Sequence, residues 1–170
     1  MTTPLDIILP PGGTGPGLLV VHPWWGLNGT VRDLGAAFAA QGFVVGLPDA
    51  FEGKVTTDKD EAQKLVETYW PTAPAALTSA FNQRAANPAI SGGVSGVGFS
   101  FGAFQLLGLQ ETLPLKRIVT YYADREVALK VPVLGLFAET DPFADDQEGM
   151  IRALTAAGAP SEACVYPGTG

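Results

Sequence analysis

Strand-length apolar runs recur along this chain, and stretches of helical periodicity separate most of them. Leu18 to His22, Phe43 to Leu47, Val94 to Phe99 and Val131 to Ala138 are apolar nearly throughout rather than alternating, and Leu115 to Tyr122 is a further strand-like run, largely apolar after Lys116-Arg117. A strand that is apolar on both faces belongs in a sheet covered on both sides, and strands joined through helices pair in parallel. The expected fold class is therefore α/β, a mostly parallel sheet with helices on both faces. In such sheets ligands bind outside the carboxyl ends of the strands. The loop after His22, Ser100 and the loop after Ala138 all lie at such ends, so three distant segments are expected to share one rim.

The punctuation agrees. Leu5 to Leu9 reads as a short first strand stopped by Pro10-Pro11-Gly12-Gly13. Thr30-Val31-Arg32-Asp33 reads as a capping box opening a helix whose inner face carries Val31, Leu34 and Phe38. Gly42 ends it. Thr57-Asp58-Lys59-Asp60 reads as a second box, opening a helix with Leu65, Val66 and Tyr69 on one face. Pro71 and Pro74 divide that helix from another running to about Asn87. Ala103 to Leu109 and Asp145 to Ala157 are expected helices, and Ala163 to Tyr166 a last strand. The 170 residues fit one domain, residues 1–170, with a sizeable core.

Composition removes several function classes. The net charge of −7 leaves no counterion-release affinity for nucleic acid. Cys164 is the only cysteine and His22 the only histidine, so no disulfide framework and no zinc site of His and Cys ligands is expected. Met1-Thr2-Thr3-Pro4 has no basic, signal-like character, and the apolar runs are too short to span a bilayer. The expected setting is reduced and cytoplasmic, with no membrane partner, no metal and no cofactor. Nothing in the sequence fixes an oligomeric state.

Gly98-Phe99-Ser100-Phe101-Gly102 stands between a strand and a helix, the context of a nucleophile elbow. A sharp turn there lifts the serine hydroxyl above the sheet, and small glycines let neighbouring backbone approach. The helix start aims free N–H groups at the reaction centre. A glycine-rich turn with an inert serine is the bland alternative. A second rival takes Gly96, Gly98 and Gly102 as a dinucleotide-binding loop. That loop normally follows a first strand and has an acid about twenty residues on, whereas Lys116-Arg117 stands here.

A triad in Ser…Asp…His order needs its acid at a later strand end. Ala138-Glu139-Thr140-Asp141-Pro142-Phe143 supplies Asp141 as first choice and Glu139 as second, with Asp124 a weaker candidate. Asp141 as a simple turn cap is the alternative. Asp49, after another strand, reads as a structural turn residue. The base is missing. His22 sits at the end of an early strand and reads as a buried histidine held by backbone groups rather than the base. No histidine follows Ser100, and the expectation from the residues is a hydrolase-type sheet without the final histidine loop and closing helix, that is, part of a longer polypeptide.

Val21-His22-Pro23-Trp24-Trp25-Gly26-Leu27-Asn28, Leu47-Pro48-Asp49-Ala50-Phe51, Val97 to Gly102 and Glu139-Thr140-Asp141-Pro142 together resemble the dienelactone hydrolase family of α/β-hydrolases, in order and spacing over nearly the whole chain. The resemblance implies Ser100 as nucleophile, Asp141 as triad acid, and the backbone N–H groups of Trp24 and Phe101 as the oxyanion hole. Two departures go together: serine replaces the cysteine many members carry, and Pro23 stands where the type enzyme has a glutamate that helps ionise it. A thiolate attacks by itself, whereas a serine depends on a neighbouring base. A general esterase role on a small ester or lactone therefore fits better than the dienelactone reaction. Cys164 reads as a core residue.

Trp25, Phe51, Tyr122 and Phe143 fall near strand ends and are expected pocket residues, giving an apolar site for a small-molecule ester or lactone. The competing reading is a non-catalytic hydrolase-fold module that binds a small ligand.

Overall fold

The computed structural model describes residues 5–123, 127–141, 147–157 and 160–169. Within these the apolar runs become strands of one sheet. In chain order the elements are β1 (Leu5–Ile8), β2 (Gly15–Val21), α1 (Gly29–Ala40), β3 (Val44–Pro48), α2 (Lys59–Tyr69), α3 (Ala73–Ala85), β4 (Ile90–Phe99), α4 (Phe101–Leu109), β5 (Ile118–Tyr121), β6 (Val133–Ala138), α5 (Gln147–Ala157) and β7 (Glu162–Tyr166). The strand order is β1-β3-β2-β4-β5-β6-β7. Every pair is parallel except β1 against β3.

Alternate residues of β2 feed two cores. Leu19 and Val21 join Leu77 and Phe81 of α3, Leu106 of α4 and Leu154 of α5. Leu18 and Val20 face Val31 and Ala39 of α1, together with Val97 and Phe99 of β4. The sheet is thus covered on both faces at its centre, as expected. Towards β6 the cover becomes one-sided: Val133 and Phe137 are buried, while Leu134 and Leu136 are only half-buried. A smaller third cluster of Ala50, Phe51, Leu65, Tyr69, Ala73 and Phe101 ties α2 to the strand-end rim.

Two helix starts differ from the capping boxes read in the sequence. Asn28, not Thr30, caps α1, its side-chain oxygen accepting the Val31 N–H at 3.2 Å. The chain already turns at Gly26, whose φ of +82° suits glycine, so the helix begins two residues early. In α2 the cap is Asp58, which accepts the Glu61 N–H at 2.9 Å, while Thr56 donates to the Glu61 carboxylate at 2.8 Å. The acidic Asp60 and Glu61 then lie in a first turn whose dipole favours them. Pro74 stands in the first turn of α3, where no N–H is needed.

The parallel register brings four strand ends together. Val21 pairs with Gly98, Phe99 with Tyr121, and Tyr121 with Leu136. Pro23 and Trp24, Ser100, Tyr122 and Asp141 follow these ends within a few residues, on one rim.

Candidate active site

Ser100 joins β4 to α4 with φ 47° and ψ −112°, a conformation costly for a residue with a Cβ. Its N–H donates to the Tyr121 carbonyl at 3.1 Å, and its own carbonyl accepts the Phe104 N–H at 2.9 Å. The surroundings therefore enforce the bend. The two glycines flanking it serve close packing: a Cβ on Gly102 would overlap the carbonyl oxygen of Val21, and one on Gly98 would overlap the backbone of Ala103. With Gly96 packed on Leu106, these glycines are filled by the chain's own atoms and leave no phosphate cradle.

The bend opens into a pocket of about 500 Å³. Ser100 and Asp141 both line it, as do Trp24, Trp25, Phe101 and Tyr122. Six residues singled out in the sequence thus share one cavity. Phe51 does not. It is fully buried, stacked on Tyr69 with ring centroids 5.4 Å apart, and belongs to the cluster beneath the pocket. Its strand-end position predicted proximity to the rim, but its side chain turns into the core. Phe143, Pro142 and Asp124 lie outside the described residues.

The other acids have structural work. Glu139 accepts the Gly168 N–H at 2.8 Å and ties the end of β6 to the turn after β7. Asp49 accepts the N–H groups of Phe51 at 3.0 Å and Gly53 at 2.6 Å, the turn role expected of it. Cys164 stands in β7 beside Glu162, away from the pocket.

His22 is fully buried and does not line the pocket. Its Nε2 accepts the Ala50 N–H at 3.1 Å, and its Nδ1 lies 2.7 Å from the Pro23 carbonyl oxygen. Burial pushes the imidazole below its ordinary pKa of 6.5, against the opposing pull of the Pro23 bond and the Asp49 carboxylate. A neutral ring with both nitrogens engaged has no site left to take a proton from Ser100.

Tyr122 also holds a left-handed backbone, φ 46°, with its N–H on the Leu136 carbonyl at 2.9 Å. Burial first, then the Asp141 carboxylate and Tyr121, push its phenol above the usual range. At neutral pH the phenol keeps its proton, and it lines the same pocket as Asp141.

One wall was not read from the sequence. Lys59, Gln63, Val66 and Trp70 of the α2 segment line the pocket, with Phe104 of α4. Trp70 packs on Phe104 at 4.9 Å between centroids and on Phe101 at 6.0 Å. The signal was present, because residues spaced by four, three and four lie on one helix face. A larger, shallower hollow of about 810 Å³ lies between α3 and α4. Thr78, Asn82, Gln83 and Gln105 help line it, and it holds no carboxylate, imidazole or amine.

A mostly parallel sheet whose central strand turns through Gly-x-Ser-x-Gly into a helix, with the serine on the carboxyl rim, is an α/β-hydrolase fold. The sequence profile of the Dienelactone hydrolase family matches residues 7–170, and the chain belongs to that family. It is 27% identical over 160 residues to Protein usf of Aquifex pyrophilus, an alignment covering 83% of this chain and 68% of that protein. Among solved structures it is similar to a dienelactone hydrolase-like promiscuous phosphotriesterase from metagenomic libraries. There the TM-score is 0.81 at 21% identity, covering 95% of this chain and 74% of the other. A dienelactone hydrolase from Anabaena variabilis superposes with a TM-score of 0.71 at 16% identity, covering 96% and 79%. At these identities the structural likeness shows the fold.

Proposed function

We propose that this chain is a serine hydrolase of small esters or lactones, working through an acyl-serine intermediate. The observation that carries the reading is the strained, non-glycine backbone of Ser100, held at a helix start and opening into the same pocket as Asp141. Strain persists where surrounding structure over-determines it, and it concentrates at reactive sites. Family membership supports the hydrolase class.

In the proposed reaction Ser100 Oγ attacks the substrate carbonyl carbon. Its proton passes to a base, and the oxyanion is held by the N–H groups of Trp24 and Phe101. Collapse forms the acyl-serine and expels the alkoxide, which takes the proton from the base. Water then repeats the sequence and frees the acid. Asp141 orients the base and stabilises its cation. His22, with both ring nitrogens engaged and no place in the pocket lining, is not that base. Trp24, Trp25, Tyr122, Trp70 and Phe104 give the substrate an apolar, aromatic surround.

The rival reading, a hydrolase-fold module that binds a small ligand without turnover, draws on one observation: the single histidine is sealed in the core. Fluorophosphonate labelling separates the two, with imidazole added as an exogenous base. Labelling that grows with imidazole and is absent in Ser100→Ala supports the hydrolase. Labelling equal in the two proteins, or absent from both, overturns it in favour of the binding module.

A further inference from the structure

We propose that His22 is a positioning residue for the oxyanion site: it holds the Pro23–Trp24 peptide with its carbonyl on the core side and its N–H turned toward the pocket of Ser100. The inference rests on the reading of Ser100 as nucleophile.

The argument begins with the tautomer. Nε2 accepts the Ala50 N–H, so the ring proton sits on Nδ1 and is donated to the Pro23 carbonyl. That carbonyl also accepts the Gly26 N–H at 3.1 Å, closing a four-residue turn from Pro23 to Gly26. Two donors therefore hold one oxygen. In a planar trans peptide the carbonyl and the following N–H point in opposite directions. Holding the Pro23 oxygen inward turns the Trp24 N–H outward, and Pro23, Trp24 and Ser100 line the same pocket. Were this peptide to rotate, a carbonyl oxygen would face the developing oxyanion and repel it.

The ring itself cannot swing. Phe51 meets it edge-on at 4.7 Å between centroids, and Phe101 stacks on it at 5.8 Å. Phe101 is the residue assigned the second oxyanion donor, so one imidazole contacts both halves of the proposed hole. Only a flat side chain with an acceptor at one end and a donor at the other can bridge the Ala50 N–H and the Pro23 carbonyl. Neutral histidine meets that requirement, which explains a buried histidine that the chemistry does not use as a base.

The test compares His22→Phe, which keeps the ring and removes both hydrogen bonds, with His22→Asn, whose amide can again donate to the Pro23 carbonyl. The probe is p-nitrophenyl acetate with imidazole as exogenous base, after subtracting the rate of Ser100→Ala. The expected result is a kcat about 100-fold lower in His22→Phe at unchanged KM, the scale of losing one oxyanion donor, with at least part of the loss recovered in His22→Asn. A cooperatively folded His22→Phe that turns over at the wild-type rate overturns the proposal. Absence of any Ser100-dependent rate in the wild type would overturn the hydrolase reading instead. The positioning claim is then decided by a crystal structure of His22→Phe: a rotated Pro23–Trp24 peptide supports it, and an unchanged one overturns it.

Discussion

A methyl group on Gly98 would stand 2.5 Å from the backbone nitrogen of Ala103, closer than any ordinary carbon–nitrogen contact. The end of β4 and the first turn of α4 therefore approach to a distance that only glycine permits. The obstructing atoms are backbone and cannot rotate away. Gly98→Ala is expected to destabilise the fold by about 3 kcal/mol, the upper range for overpacking a dense interior. Urea unfolding with an unchanged m-value is the measurement. A loss below the error of that method would show that the elbow is looser than described.

Strain at Ser100 predicts an opposite pairing of stability and activity. A φ of 47° with ψ −112° is tolerated by glycine far better than by serine. Ser100→Gly is expected to match or exceed the wild type by about 1 kcal/mol, after its greater chain entropy offsets part of the strain relieved. It is also expected to lose all fluorophosphonate labelling. Thermal unfolding of Ser100→Gly and Ser100→Ala side by side separates backbone relief from simple removal of the hydroxyl.

The order of the elements along the chain is legible in the sequence because both-faces-apolar strands admit few arrangements. The rim followed from it, since parallel strands send their carboxyl ends to one side. Helix caps were less legible: Asn28 and Asp58 cap where the preceding turn delivers them, and that turn depends on Gly26 and on loop contacts far along the chain. Phe51 shows the main limit. Position after a strand places a residue near the rim, but not the direction of its side chain, which tertiary packing on Tyr69 and Phe101 decides. The α2 wall was missed for a related reason. The stripe of Ala62, Leu65 and Tyr69 is the buried one. The neighbouring stripe of Lys59, Gln63, Val66 and Trp70 mixes charge with aromatic area and resembles an ordinary boundary face.

His22 predicts a pH dependence with a definite sign. Its folded pKa lies below 6.5 because burial disfavours the cation, with Asp49 the charged group opposing that shift. The unfolded chain therefore binds this proton more readily. Stability is fully present above pH 6.5 and falls as the pH drops from there toward the folded value, with a slope approaching about 1.4 kcal/mol per unit. No other histidine contributes, and ordinary carboxylates titrate lower. Denaturant midpoints between pH 7 and about 5 should show this slope in the wild type and not in His22→Phe.

Arg84 predicts a gain from removing a charge. It lies in the last turn of α3, fully buried over Gly46, and among the described residues none of its three guanidinium nitrogens has a hydrogen-bond partner. Burial lowers its pKa to about 10. Replacing buried ionic groups by apolar side chains of similar volume is often neutral or stabilising, by up to about 4 kcal/mol. Arg84→Met is expected to raise the denaturation midpoint and leave Ser100 labelling unchanged. A lower midpoint would mean that the guanidinium has a partner worth more than its desolvation.

Trp70 offers the test of the pocket as a substrate site. It is 40% exposed at the end of α2, yet it faces the cavity and packs on Phe104 and Phe101. A large exposed indole adds little to folding, so Trp70→Ala should unfold within about 1 kcal/mol of the wild type. A planar aromatic group bound against it would gain the stacking preference of such rings, about 0.5–1.5 kcal/mol beyond area alone. The expected outcome is selective. With imidazole as base, KM for a p-nitrophenyl ester of an aromatic acid rises several-fold to about tenfold, while KM for p-nitrophenyl acetate changes less. Equal changes for both esters would place the acyl group elsewhere in the cavity, toward Trp25 and Tyr122. The α2 wall would then be a support for the elbow rather than a surface that selects the substrate.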